Sequence, residues 1–473
     1  MPKHNLLAKK LKKHFLSTNE LIESYFNKFS QLINDFKKSK LSANNRIILV
    51  IGTAVILTLS YFLIPTFYDE NIIKKKVKDQ VLKKYNIELN INDDLNYLIF
   101  PKPHFVSKDS SIVSRKKNIA DIKNLKIFIS LNDFFSINDV NVKDLIFQNT
   151  DFNIFKEDVI FFYELLKTKP NTNKLLIKDS KIFFKDKEEE VLFINKIYNS
   201  SFFYDSKNLE NVLTSKNEIF NIPYKLNVKK NEFNKNLFFE FNSKKIRLNI
   251  ENEINFDKII DGLLDLSFIN KSTSLSYKIK NNFLTFESEN KKNNYDGIIN
   301  FKPFYFDTNL NFHGLSTKNL FNDDSILIDI LKTDILKNKN LNANIDLDIK
   351  NITNIDEFNR LFLKISIEEG NIDLSNSNIM WKDDLQIKFK DSYLTYDEKG
   401  INILGKVVID FKNVNNFYRS FQIQKSYRKE INKVELDFIY NFSEKKIIFD
   451  NVKIDNETNV SLDKYINNLK SEI

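Results

Sequence analysis

The chain has 473 residues, 42% hydrophobic and 29% charged, with 44 Phe; that is enough apolar mass for a large core and excludes global disorder. Seven Gly and seven Pro exclude collagen-like and Gly-rich phosphate-binding architectures, and zero Cys excludes disulfides and thiolate chemistry while leaving the compartment open. The net charge of +9 is mild for this length, and the first 46 residues carry ten Lys/Arg against three acids, a balance that points to a membrane surface and away from a nucleic-acid groove.

Residues 1–46 are expected to form an amphipathic helical arm. Leu7, Leu11 and Phe15 share one face of a first helix with Lys9, Lys10, Lys12 and Lys13 around it. Ser17 and Glu20 make a capping-box pattern, and Ile22, Phe26, Phe29, Ile33 and Phe36 follow at 4-3-4-3 spacing on one stripe. Three readings stay open: a helical hairpin with only a topological role, a helix lying on an anionic leaflet, and a two-heptad dimer seam.

Residues 47–64 carry no charge and stand between Arg46 and Pro65. As a helix they rise roughly 27 Å, or about 33 Å if extended to Tyr68, against a hydrocarbon core of about 30 Å. A soluble helix of this length keeps a polar stripe, so residues 47–68 are expected to span a membrane. A cleaved signal peptide fits less well, because Ser60-Tyr61-Phe62-Leu63 is too bulky for a cleavage site. Lys37, Lys38, Lys40 and Arg46 precede the span, whereas Lys74 alone lies in the ten residues after Ile64, with Lys75, Lys76 and Lys78 just beyond. The positive-inside rule then leaves the N-terminus in the cytoplasm.

Beyond the span, Ile73, Val77 and Val81 predict a helix over residues 71–85 with a charged surface in water or headgroups. Residues 87–91 alternate as a strand. Residues 95–105 contain Pro101 and Pro103, which cannot donate to a ladder, so this piece is a sheet edge or an extended crossing. Strands are expected at residues 125–131 and 140–147.

A membrane anchor, a basic helix, a short strand, the segment Phe100-Pro101-Lys102-Pro103, a strand Leu125-Lys126-Ile127-Phe128-Ile129 and a strand Val142-Lys143-Asp144-Leu145-Ile146-Phe147 follow one another. In that order they resemble the N-terminal region of the AsmA family of bacterial envelope proteins, over about residues 47–155. Residues 372–411 have a similar flavour. The resemblance implies an anchor at 47–68, an AsmA-like periplasmic region at 69–210 and a repetitive β-rich periplasmic region at 211–473. It also implies an inner-membrane protein of outer-membrane biogenesis whose partners are membrane phospholipids and another envelope protein. A long cytoplasmic arm departs from the usual family layout.

The residues themselves predict a mainly β chain: an elongated antiparallel sheet after the anchor, with a few helices at residues 158–167, 320–336 and 414–430. Leu341, Ala343, Ile345, Leu347 and Ile349 alternate with polar residues, as do Leu385, Ile387 and Phe389, Ile246, Leu248 and Ile250, and Leu275, Tyr277 and Ile279. Such strands have one wet and one apolar face. Asn281-Asn282, Asp296-Gly297 and Lys399-Gly400 serve as turn signals favouring meanders. About 20 strands would give a ribbon on the order of 100 Å. A closed sandwich and a curved groove open to acyl chains need the same alternation, so both stay open; in the groove, Ile345, Leu347, Ile349, Leu385, Ile387 and Phe389 are the lipid-contact candidates.

Catalytic patterns are scarce. The four His (His4, His14, His104, His313) are scattered, and no GxGxxG, P-loop, GxSxG or HExxH occurs. No cofactor, metal or nucleic-acid partner is expected. Glu368-Glu369 beside Gly370 suits a charged turn better than a glycosidase pair. Trp381, the sole Trp, suits core filling better than ligand stacking, and Asn459-Val460-Ser461 is a chance sequon. The expected function is non-catalytic handling of lipid along an apolar face. The rival is a structural or adaptor protein with a closed core, and an enzyme acting on an envelope glycan or lipid comes third.

Overall fold

The computed structural model describes residues 43–458 apart from 93, 131–139, 232, 234–235, 256–260, 269–270, 281–282, 289–292, 302–303, 317–332, 335–337, 354–357, 398–399 and 443. The expectations for residues 5–40, Asn281-Asn282, Lys399 and the Asn459 sequon fall outside those residues, as does all but Thr333 and Asp334 of the helix expected at 320–336. Contacts divide the chain into two units, residues 1–69 with 131–140, and residues 70–130 with 141–473.

In the first unit, α1 (Ala43–Leu63) runs into a 3-10 turn, Ile64–Phe67. An 18-residue window within Ile47–Phe67 has a mean hydropathy of 2.6 and is not buried by protein, Pro65 in the 3-10 turn being the buried residue of the segment, so this helix is long and apolar enough to cross a membrane. Its two threonine hydroxyls are satisfied internally: Thr53 and Thr58 donate to the carbonyls of Leu49 and Ala54 at 2.9 and 2.8 Å. An apolar solvent demands that pairing.

The second unit begins with α2 (Glu70–Tyr85), whose Ile73, Val77, Val81 and Tyr85 are buried on one stripe. The helix is fastened to the start of a strand at residue 142. Gln80 Oε1 accepts from the Val142 N–H at 2.7 Å, Lys84 Nζ donates to Asn141 Oδ1 at 2.7 Å and to the Val142 carbonyl, and Tyr85 OH donates to the Lys143 carbonyl. Burial pushes the Lys84 ammonium down and the Tyr85 phenol up from their ordinary values.

The sheet opens with β1 (Glu88–Ile91), β2 (Asn96–Leu98), β3 (His104–Ser107), β4 (Ser110–Ser114) and β5 (Lys117–Ile129). β1 pairs with β4, β2 with β3, and β3 and β4 share one side of β5. β2 is therefore an edge, and both prolines sit in the turn after it. On the far side of β5 lies β6 (Val142–Ile154). After a 3-10 turn (Lys156–Val159) and α3 (Ile160–Leu166), β7 (Leu175–Lys185) pairs with β6 in parallel. A parallel pair needs a crossover, and α3 supplies it.

A long meander follows: β8 (Val191–Asp205), β9 (Glu210–Ile219), β10 (Ile222–Asn231), β11 (Asn236–Ser243), β12 (Leu248–Asn255), β13 (Asp261–Phe268), β14 (Lys271–Lys280), β15 (Phe283–Ser288), β16 (Asn293–Phe301) and β17 (Phe304–Phe312). Each is antiparallel to its predecessor. Two sequence expectations are corrected here. Ile246 lies in the turn before β12, and Asp296-Gly297 lies inside β16. Gly297 is there for close approach, not for turning: a Cβ on it would stand 2.5 Å from the Asp307 carbonyl oxygen and 2.7 Å from the Phe286 ring.

The meander is broken a second time. β18 (Leu315–Ser316) belongs to a two-stranded parallel sheet with β20 (Ile352–Thr353), while β19 (Asn342–Ile349) is parallel to β17. β21 (Phe358–Glu368) pairs with β19 and with both β22 (Asn371–Asp373) and β23 (Asn378–Trp381), which in turn pair with β24 (Leu385–Asp397). β25 (Gly400–Phe411), β26 (Lys433–Asn441), β27 (Lys446–Ile454) and β28 (Glu457–Thr458) complete the order. Instead of one helix over residues 414–430, a short α4 (Val414–Ser420) is followed by a separate 3-10 turn, Lys425–Tyr427. Gln422 adopts a left-handed φ of 55°, which stops the helix.

The described strands thus make one hydrogen-bonded 26-stranded sheet and one pair. At about 4.8 Å per strand its contour is on the order of 100 Å.

An apolar sheet face as the candidate functional site

Strand registers place apolar residues opposite one another across many strands. One rung runs Phe312–Ile349–Leu361–Ile379–Ile387–Ile409–Val434–Ile454 from β17 to β27. A second runs Phe306–Ala343–Ile367–Ile372–Leu394–Ile403–Tyr440–Ile447. Both lie on the same face, because a bulge between Lys390 and Tyr393 returns Leu394 to the side of Ile387. On β19 the two rungs are six residues apart, roughly 20 Å.

The six lipid-contact candidates all fall on this face. Ile349 and Ile387 share the first rung; Ile345 and Leu347 lie between the two rungs on β19. Leu385 stands opposite Trp381 and Phe411, and Phe389 meets the Phe438 ring edge-on at 5.9 Å. Their burial is graded. Ile349 is 0% exposed in a cluster with Tyr295, Phe312 and Leu361, whereas Ile345, Leu347, Ile387 and Phe389 are only half-buried. Leu315 and Ile352, from the two-stranded pair, join the Ile349 cluster and close that end. Ala343, Ile367, Ile372 and Leu394 form a second buried cluster around the other rung.

Over the first strands the face is roofed. The buried stripe of α2 covers its start, and α3 lies against it with the Phe162 ring 6.0 Å from Phe152. Asn211 Nδ2 donates to the Leu166 and Thr168 carbonyls at 3.0 and 2.8 Å, holding the end of α3 in place. Beneath these helices Leu145, Phe147 and Phe152 are sealed from solvent.

Some polar groups sit inside. Tyr224 OH donates to Asn195 Oδ1 at 2.8 Å, and burial pushes its phenol up to about 12. Tyr295, 0% exposed, has a hydroxyl without a partner, and burial likewise pushes it up to about 12.

The remaining sequence candidates are structural in placement. Phe100 is exposed, Pro101 and Pro103 lie in the β2–β3 turn, and the Pro103 carbonyl accepts from the Ile129 N–H. His104 is buried, stacked on Phe128 at 5.0 Å, with Nδ1 2.7 Å from the Lys102 carbonyl oxygen; His313 is exposed. Glu368 and Glu369 are exposed at a hairpin whose Glu369 and Gly370 take φ of 51° and 84°, a primed turn. Trp381 is buried against Phe417 and Phe421. Among the described residues no cluster of His, Asp and Glu could hold a metal ion.

Sequence reasoning missed Leu361, Ile379, Ile409 and Val434, which share the rung of Ile349 and Ile387. Their alternation is present in the sequence, but which positions stand opposite each other depends on register. No family model and no curated protein matches the chain.

Proposed function

We propose that this is an AsmA-like protein of the bacterial cell envelope. It is anchored by α1 in the inner membrane with its N-terminus cytoplasmic and its sheet periplasmic, and it serves outer-membrane biogenesis. In this reading it holds or transfers phospholipid along the apolar sheet face without catalysis, and another envelope protein completes the path. The observation that supports this best is the pair of unbroken apolar rungs spanning β17–β27 with half-buried residues between them. Acyl chains need only a continuous apolar surface of about that width and no specific polar partner.

A photo-crosslinking residue at 347, in the full chain expressed in cells, tests the reading against the same residue at 404, an exposed outer-face position. Phospholipid adducts at 347 and none at 404 are expected; equal labelling, or none at 347, refutes it. The complete burial of Tyr295, Phe312 and Ile349 favours a second reading, a structural or adaptor protein assisting outer-membrane protein assembly, which predicts no adduct at either position. Protease added to spheroplasts tests topology: it should digest the sheet and spare a tag on residue 1.

A further inference from the structure

Between β25 and β26 the chain leaves the sheet, and residues 412–432 carry Lys412, Arg419, Lys425, Arg428 and Lys429 against one acid, Glu430. The excursion is held in one shape. Asn413 Oδ1 accepts from the Asn416 N–H at 3.1 Å, Tyr418 OH donates to the Lys429 carbonyl at 2.8 Å, and Arg428 Nε donates to the Ile423 carbonyl at 2.9 Å. Phe421 stacks on Trp381 at 6.1 Å and lies 4.7 Å from Phe417. Even so, Phe421 remains 59% and Tyr427 74% exposed. Lys412, Arg419, Lys425 and Lys429 make no ion pair among the described residues. Two carboxylates from outside the excursion touch it and both are engaged: Asp384 accepts from Asn416 Nδ2 and Asp455 from the Asn432 N–H.

Two exposed rings on one excursion that also carries four exposed cations without an ion pair among the described residues match the interface of an anionic bilayer. Aromatic rings settle at the headgroup level, and each nearby Lys or Arg adds attraction to anionic lipid. Stacking of nucleic-acid bases fits less well, because Phe421 already uses a face on Trp381. We propose that residues 412–432 dock on an anionic phospholipid bilayer, with Phe421 and Tyr427 entering the headgroup layer and Arg419, Lys425 and Lys429 facing lipid phosphates. Phe411, at the root of the excursion, is in register with Leu385, which is in register with Trp381. Docking here sets a bilayer beside the end of the apolar face. The proposal stands whether or not that face carries lipid.

The test uses the full chain in phosphatidylcholine nanodiscs, with Tyr427→Cys carrying an environment-sensitive fluorophore in a protein that has no other Cys. It is mixed with vesicles of phosphatidylcholine alone or of equal parts phosphatidylcholine and phosphatidylglycerol. A blue-shifted dye and co-flotation only with the anionic vesicles are expected, both weakened by salt. Arg419→Gln and Lys425→Gln should each reduce binding about five-fold, about 1 kcal/mol per cation. Both side chains are exposed, so Trp381 emission confirms that the fold is kept. Absence of binding, equal binding to neutral vesicles, an unshifted dye despite flotation, or displacement of the vesicles by a DNA duplex would each overturn the proposal.

Discussion

Ile349 and Ile387 lie on one rung but in different surroundings, and truncating each to alanine separates a closed end of the face from an open one. Ile349 is 0% exposed and packed with Phe312 and Leu361. Removing three carbons forfeits about 2.4 kcal/mol at about 0.8 per carbon, and the cavity left behind raises the loss to about 3–4 kcal/mol. Ile387 is half-buried; solvent or lipid fills the space, so the same truncation should cost about 1 kcal/mol. Trp381 is the sole tryptophan and flanks this rung two residues from Ile379, so urea unfolding of the detergent-solubilised full chain can be followed by its emission. Ile349→Ala should shift the midpoint clearly further than Ile387→Ala. Equal large shifts would mean that the face is a closed core at Ile387 as well, and the reasoning that leaves it open to acyl chains would fail.

Two glycines under aromatic rings make a second comparison. The three atoms nearest a Cβ on Gly262 all belong to the Tyr277 side chain, at 2.7–2.9 Å, whereas the atom nearest a Cβ on Gly297 is the Asp307 backbone oxygen. Each Ala variant should lose about 1–3 kcal/mol; adding Tyr277→Ala should remove the clash at Gly262, while Phe286→Ala should leave the backbone clash at Gly297, as thermal melts would report. Tyr295→Phe deletes a buried hydroxyl without a partner and should be neutral or stabilising, whereas Tyr224→Phe strands Asn195 Oδ1 and should cost about 1–2 kcal/mol. Burial raises both phenols to about 12 from an ordinary value of 10.0. Their contribution is therefore intact below pH 10 and lost as pH rises from 10 through 12; phenolate absorbance that titrates without unfolding near pH 10 would contradict it. Asn211→Ala removes both bonds at the end of α3 and should speed hydrogen exchange in α3 while leaving β24–β27 unchanged.

Local chemistry in the sequence determined several things without help. Residues 47–67 lack charge, which suffices for an apolar helix of membrane-spanning length. The spacing of Ile73, Val77 and Val81 specifies the buried stripe of α2, and the prolines at 101 and 103 put an edge at β2. The alternation of residues 343–349 and 385–389 assigns their faces, because side chains on a strand alternate whatever the partner. The tertiary structure decided what depends on distant pairing. Gly297 looks like a turn residue locally, yet it sits mid-strand because a ring from β15 and a carbonyl from β17 need its space. The parallel β17–β19 and β6–β7 pairs join residues far apart in the chain, and no local pattern encodes a crossover. Only register joins Ile349 to Ile387 across β21 and β23. Alternation reports which side of a strand is apolar; what stands opposite that side, and how deeply it is covered, is a property of the assembled sheet.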